Sequence, residues 1–163
     1  MATDSIHAAS FAQSRFRALI ADDQQSAREA ISRLLEEDES IEIVSECADG
    51  REALAYLNGE GKYASSNFPM PALVLLDLSL PKLDGFDVLR CIRQQPHLDS
   101  IPVVVLTSSR DPSAAKKAYA LGANSFLSKP ADFQDTVRLI LLLVAQWLPA
   151  GSHRRDAHLR LAA

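Results

Sequence analysis

The chain has 163 residues, 47% of them hydrophobic and 23% charged, with a net charge of −4 at pH 7. That is enough for one domain with a sizeable core, and the composition is that of an ordinary soluble globular protein. The acidic balance excludes a general attraction to nucleic acid or to an anionic membrane surface. No apolar window is long enough to span a bilayer, since the run 139–145 is too short. Asp4 and His7 stand where a signal peptide would need an apolar stretch.

Residues 1–15 are small, polar and aperiodic, and read as a disordered leader. The run 17–21 is a short apolar strand that leads straight into Asp22 and Asp23. From Ser26 the spacing turns helical, with Ala27, Ile31, Leu34 and Leu35 on one side. Residues 41–47 alternate like a strand with one partly polar face, and a short helix follows over 51–58. The stretch 59–71 carries Gly, Ser and Pro and is long for a connection, which marks a functional or mobile loop.

Leu73, Val74, Leu75 and Leu76 then run without a break into Asp77. A continuous apolar run of this length reads as a strand covered on both faces. Asp84 and Gly85 open a helix with Phe86, Val88, Leu89 and Ile92, and it ends before Pro96. Residues 102–106 form another apolar strand, followed by Thr107. Asp111 and Pro112 start a helix that ends near Gly122. A short strand over 123–128 is closed by Lys129 and Pro130, and Asp132 caps a last helix that starts at Phe133. The two cysteines, Cys47 and Cys91, fall inside these elements without metal-type spacing. They read as reduced, small apolar residues of a cytoplasmic protein.

The expected organisation is a leader (1–15), one domain (16–148) and a flexible tail (149–163). Strands alternating with helices predict an α/β fold, a five-stranded parallel sheet of the flavodoxin-like doubly wound kind with right-handed crossovers. Its expected strand order is 2-1-3-4-5, which opens a crevice between the first and third strands at their carboxyl ends.

That order gathers Asp22, Asp23 and Asp77 on one edge. Three clustered carboxylates repel one another and raise each other's pKa. A hard divalent cation removes the conflict, and Mg²⁺ takes oxygen ligands while keeping waters for an incoming phosphate. Lys129 adds a fixed positive charge and Thr107 a hydroxyl donor. The set suits phosphoryl transfer onto a carboxylate. Each element alone has a plainer explanation: Asp22 and Asp23 as helix-capping acids, Thr107 as a turn cap, Lys129 as a surface lysine, Phe126 as a core aromatic. Their coincidence at strand ends, in order, weighs against accident.

On Asp22-Asp23, on the stretch from Asp77 through Pro81 and Lys82 to Gly85, on Thr107 and on Phe126 to Pro130, the chain resembles the receiver domains of two-component response regulators. The resemblance covers residues 16–148. With no further domain after it, the chain resembles a stand-alone receiver. Gly61 to Ala64 within the long loop, and Trp147-Leu148, are similar to single-domain regulators of bacterial phytochrome-type histidine kinases.

The resemblance implies that Asp77 accepts phosphate from a histidine kinase or a phosphotransfer protein. It implies Mg²⁺ held by Asp22, Asp23, Asp77 and the backbone carbonyl of Ser79. Lys129 would pair with the phosphoryl group, and its bond to Pro130 would be cis. Thr107 and Phe126 would form a switch that passes the state to a downstream protein target, the chain catalysing only its own phosphorylation and dephosphorylation. Ser79 stands where Asn is common, which puts the dephosphorylation chemistry in doubt. Phe126 lacks the hydroxyl of the frequent Tyr, so any switch there works by packing alone.

On the last helix Phe133, Val137, Ile140, Val144 and Trp147 share one side, while Leu142 falls nearly opposite and Leu139 on a flank. A surface helix should not be apolar all round. Leu139 and Leu142, with the helix over 112–121, are therefore expected to form a dimer or partner face. Two rivals remain at this level. A flavodoxin-like cofactor binder would need small residues and backbone N–H groups where Asp22 and Asp23 stand. A metal-dependent phosphatase would, by its own family pattern, carry a second acid where Ser79 stands.

Overall fold

A computed structural model of the protein describes residues 15–129 and 131–147. The leader, Pro130 with its expected cis bond, and the tail lie outside the described residues.

The elements alternate through the chain: β1 (Phe16–Ala21), α1 (Gln25–Glu36), β2 (Ile41–Cys47), α2 (Gly50–Asn58), β3 (Leu73–Asp77), α3 (Gly85–Gln94), β4 (Val103–Thr107), α4 (Pro112–Ala120), β5 (Ser125–Ser128) and α5 (Phe133–Trp147). All pairings are parallel, and the sheet order is β2-β1-β3-β4-β5. The crevice between β1 and β3 is therefore present, and the expected fold class holds.

Alternate strand residues feed two cores. Val74 and Leu76 of β3 pack with Tyr56 and Leu57 of α2, Leu89 and Ile92 of α3 and Ala118 of α4. Leu73 and Leu75 pack with Ile31 and Leu35 of α1 and Val137, Ile140 and Val144 of α5. An unbroken apolar strand is the sequence solution for a sheet covered on both sides, since every residue of β3 is buried. Each fully buried Leu or Ile contributes roughly 1.5–3 kcal/mol of transfer free energy.

Asp49, Asp84 and Asp111 precede α2, α3 and α4, and each accepts a hydrogen bond from a backbone N–H of the first turn. These caps satisfy amides that a helix start leaves unpaired. The cap position of α1 is Gln24, whose side chain makes no cap bond. The acid pair before α1 is thus left for other work.

One expectation needs correction. β2 does not keep one polar face, because the register with β1 slips between Ala18 and Leu19, where Ile43 and Ser45 are the successive partners. The extra residue, Val44, turns the second half of the strand over. Ile43 packs on the α1 side, and Val44 and Cys47 on the other. The long loop also packs on itself. It holds a 3-10 turn, Gly61–Tyr63, with Tyr63 buried. The Tyr56, Tyr63 and Phe68 rings meet edge to face at 5.0–6.0 Å. The Tyr56 hydroxyl donates to the Pro69 carbonyl at 2.8 Å. Three aromatics supply the loop with a small core of its own.

Candidate functional site

Register assembles the site. Ala21 pairs with Leu76, so Asp22 leaves β1 beside Asp77 at the end of β3. Asp77 pairs with Leu106, and Thr107 with Ser128, which brings Lys129 to the same edge. The carboxylate oxygens of Asp22, Asp23 and Asp77 lie within 4.8 Å of one another.

The Lys129 ammonium stands between two of these acids. It donates to Asp77 Oδ2 at 3.0 Å and, at closer range, to Asp22 Oδ2. Asp22 and Asp77 are buried, and the Lys129 side chain is only 9% exposed. The remaining oxygens are held by backbone amides. Gln24 N–H donates to Asp22 Oδ1 at 2.9 Å and Ser79 N–H to Asp77 Oδ1 at 3.1 Å. Asp23 is exposed, and no hydrogen bond among the described residues reaches its carboxylate.

Burial pushes the Asp77 carboxyl up from its ordinary value, against the pull of Lys129 and the Ser79 amide, and the Asp22 charge adds to the rise. Burial alone would lower the Lys129 ammonium, but its bonds to Asp22 and Asp77 outweigh this and raise it. The lysine is therefore a fixed positive charge. It bonds two of the three carboxylates but offsets only one negative charge, which leaves two in excess. Oxygen donors crowded in this way fit a hard divalent cation, with Asp22, Asp23 and Asp77 as the side chains that would hold it. The Ser79 carbonyl is used by no hydrogen bond among the described residues.

Thr107 ends β4, one residue beyond the partner of Asp77. It is fully buried, and its Oγ1 accepts from the Ser109 N–H at 3.1 Å. Its carbonyl accepts from the Lys129 N–H at 2.7 Å, so the β4 and β5 ends are tied together. Phe126 is half-buried against the core on the α2 side. Its N–H, on the free edge of β5, donates to the Tyr119 hydroxyl of α4 at 3.1 Å.

Sequence reasoning missed several supports. A Cβ on Gly85 would stand 2.3 Å from the Asp77 carbonyl oxygen, so only glycine lets α3 start against the acid strand. Lys82, in the loop after Asp77, holds a positive φ of 65° and pairs with Asp49 at 3.3 Å. Arg28 of α1 donates to the Asp22 carbonyl at 2.7 Å. Its position six residues on, one turn into a helix, was the available signal.

The receiver domain profile of response regulators matches residues 18–141. This chain belongs to that family. The receiver is 42% identical over 100 residues to response regulator Rcp1 of Synechocystis sp. (strain ATCC 27184 / PCC 6803 / Kazusa), which is 61% of this chain and 67% of that protein. The crystal structure of the phosphorylated cyanobacterial phytochrome response regulator RcpA matches the receiver with a TM-score of 0.74 and 33% identity, over 85% of this chain and 97% of that one. The Mn²⁺-bound form of Rcp1 matches with a TM-score of 0.72 and 34% identity, over 83% and 96% of the two chains. The matched profile is that of the receiver, not of a cofactor-binding or phosphatase family. Among the described residues no helix is long and apolar enough to cross a membrane.

Proposed function

We propose that the receiver takes a phosphoryl group onto Asp77 from a phosphohistidine of a histidine kinase or phosphotransfer protein, with Mg²⁺ as the cation. A bond forms between an Asp77 carboxylate oxygen and phosphorus as the bond from phosphorus to the histidine nitrogen breaks. That nitrogen keeps the electron pair. Lys129 leaves the acids to meet the phosphoryl oxygens and gathers their charge. Asp22, Asp23, Asp77 and the Ser79 carbonyl would hold the cation, which would supply charge neutralisation when bound. The observation that carries the reading is the Lys129 bridge between two buried acids with Asp23 alongside.

Among relatives, RcpA is a phytochrome response regulator seen phosphorylated, and Rcp1 has been seen with Mn²⁺. They support a phytochrome-type kinase as the donor and a divalent cation at the acids. On this reading the receiver works in the cytoplasm, turns over no outside substrate, and catalyses only its own phosphorylation and dephosphorylation. Labelled acetyl phosphate with Mg²⁺ tests it. One phosphoryl group per chain is expected, absent from Asp77→Asn and from samples in EDTA. Label that persists in Asp77→Asn would overturn it.

Phosphorylation then biases a two-state equilibrium. The Thr107 hydroxyl leaves the Ser109 amide for the phosphoryl group, and Phe126 turns inward by packing alone. A downstream protein reads the result. The output face spans α4, the β5 edge and α5. Leu139 and Leu142 are 44% and 38% exposed there, and Tyr119 is 51% exposed. A second copy of the chain is the occupant proposed for it. Sedimentation of phosphorylated Leu142→Glu checks this, and an unchanged monomer–dimer balance counts against it.

A further inference from the structure

Asp22 and Asp77 each have two side-chain anchors, the Lys129 ammonium and a backbone N–H. Asp23 has none among the described residues, yet its carboxylate lies within 4.8 Å of the other two. Its backbone must therefore place it. The Asp22 carbonyl and the Asp23 nitrogen share one rigid peptide plane, so whatever holds that carbonyl sets the direction in which Asp23 leaves. The group that holds it is the Arg28 guanidinium, at 2.7 Å.

The guanidinium touches the carbonyl and forms no ion pair with a carboxylate among the described residues. It steers the acids without occupying an oxygen that a cation needs. Its Nε is buried with no hydrogen-bond partner among the described residues. A buried donor left unpaired is a cost, so this placement does not serve the fork's own bonding.

We propose that Arg28 is a positioning residue for cation binding, acting on Asp23 through the Asp22–Asp23 peptide plane. This rests on the cation-dependent reading above. The electrostatic alternative predicts the opposite sign. A guanidinium close to a cation site repels the cation, so its removal on charge grounds alone would tighten binding.

Mn²⁺ titration of the full chain, read by electron paramagnetic resonance of the free ion, separates the two. Arg28→Met keeps the aliphatic stem and removes the fork. Its Mn²⁺ dissociation constant should rise about tenfold, the usual size for loss of an outer partner of a ligand. Its unfolding midpoint in EDTA should stay close to that of the parent chain. Arg28→Lys, which keeps one donor on a flexible stem, should recover part of the loss. An unchanged or tighter dissociation constant in Arg28→Met would overturn the inference while leaving the cation site standing. Failure of the unmutated chain to bind Mn²⁺ would instead overturn the cation-dependent reading itself. Should Arg28→Met not fold, Arg28→Gln is titrated in its place: weaker binding supports the inference, and unchanged or tighter binding overturns it.

Discussion

The acid strands and the lysine edge of the site are built differently. The acids leave β1 and β3, and β3 is buried along its whole length. The lysine leaves β5, an edge strand whose residues are half-buried or exposed. Beside it α4 buries a single residue, Ala118. Further ties on α4 are side chains at the surface: Lys117 with its ammonium 4.2 Å above the Phe86 ring, and the Tyr119 hydroxyl on the Phe126 amide. Chemistry that depends on carboxylates held to fractions of an ångström sits on the stiff side. A signal that must move structure belongs on the side where few buried contacts have to break. Lys129 joins the two, so a charge event among the acids is felt directly at the loose edge.

Breaking that joint should have the largest effect. Lys129→Met leaves Asp22 and Asp77 buried and facing each other, and loss of one partner of a buried pair costs about 3–5 kcal/mol. Urea unfolding in EDTA at neutral pH should show this, and millimolar Mg²⁺ should return much of it. A matched pair of truncations compares the sides themselves. Leu75→Ala, in a strand residue that is fully buried, should cost about 2–5 kcal/mol. Leu127→Ala faces the same core from β5 but is only half-buried, and should cost about half as much. Equal costs would remove the distinction.

A smaller effect lies on the stiff side, at the brace between α2 and the long loop. Burial alone would raise the Glu52 carboxyl, but bonds from the Tyr63 hydroxyl, the Ala48 amide and Lys62 outweigh it and hold the group below its ordinary value. A lowered folded-state pKa means stability present above the unfolded value of 4.5 and lost as pH falls through the folded value. Tyr63→Phe should therefore cost about 1–2 kcal/mol near neutrality. The difference from the parent chain should shrink in acid below pH 4.5. A difference independent of pH would assign Tyr63 to packing alone. The smallest effect concerns Cys47, whose thiol is pushed up to about 12 by burial. A thiol reagent at mildly alkaline pH should leave it unmodified in the folded chain.

Much of this was legible in the chain because the deciding patterns are local. Leu73 to Asp77 shows a two-sided buried strand ending in a charge, whatever surrounds it. Asp84 and Asp111 announce helix starts by their own cap chemistry. The slip at Val44 was not legible, since a bulge depends on how β1 pairs with its neighbour. Nor was the order in residues 59–71, where Tyr63 and Phe68 look like loop aromatics until Tyr56 is placed against them.

By itself the sequence determined the alternation of elements, the two-sided sheet and the residue types at the strand ends, because hydrophobic period and capping act over a few residues. Only the tertiary structure decided which of those residues share an oxygen cluster, that Lys129 bridges two acids while the Thr107 hydroxyl takes the Ser109 amide, and that Arg28 holds the peptide between Asp22 and Asp23. Those outcomes depend on strand register and on hydrogen bonds between distant segments. No local pattern carries that information.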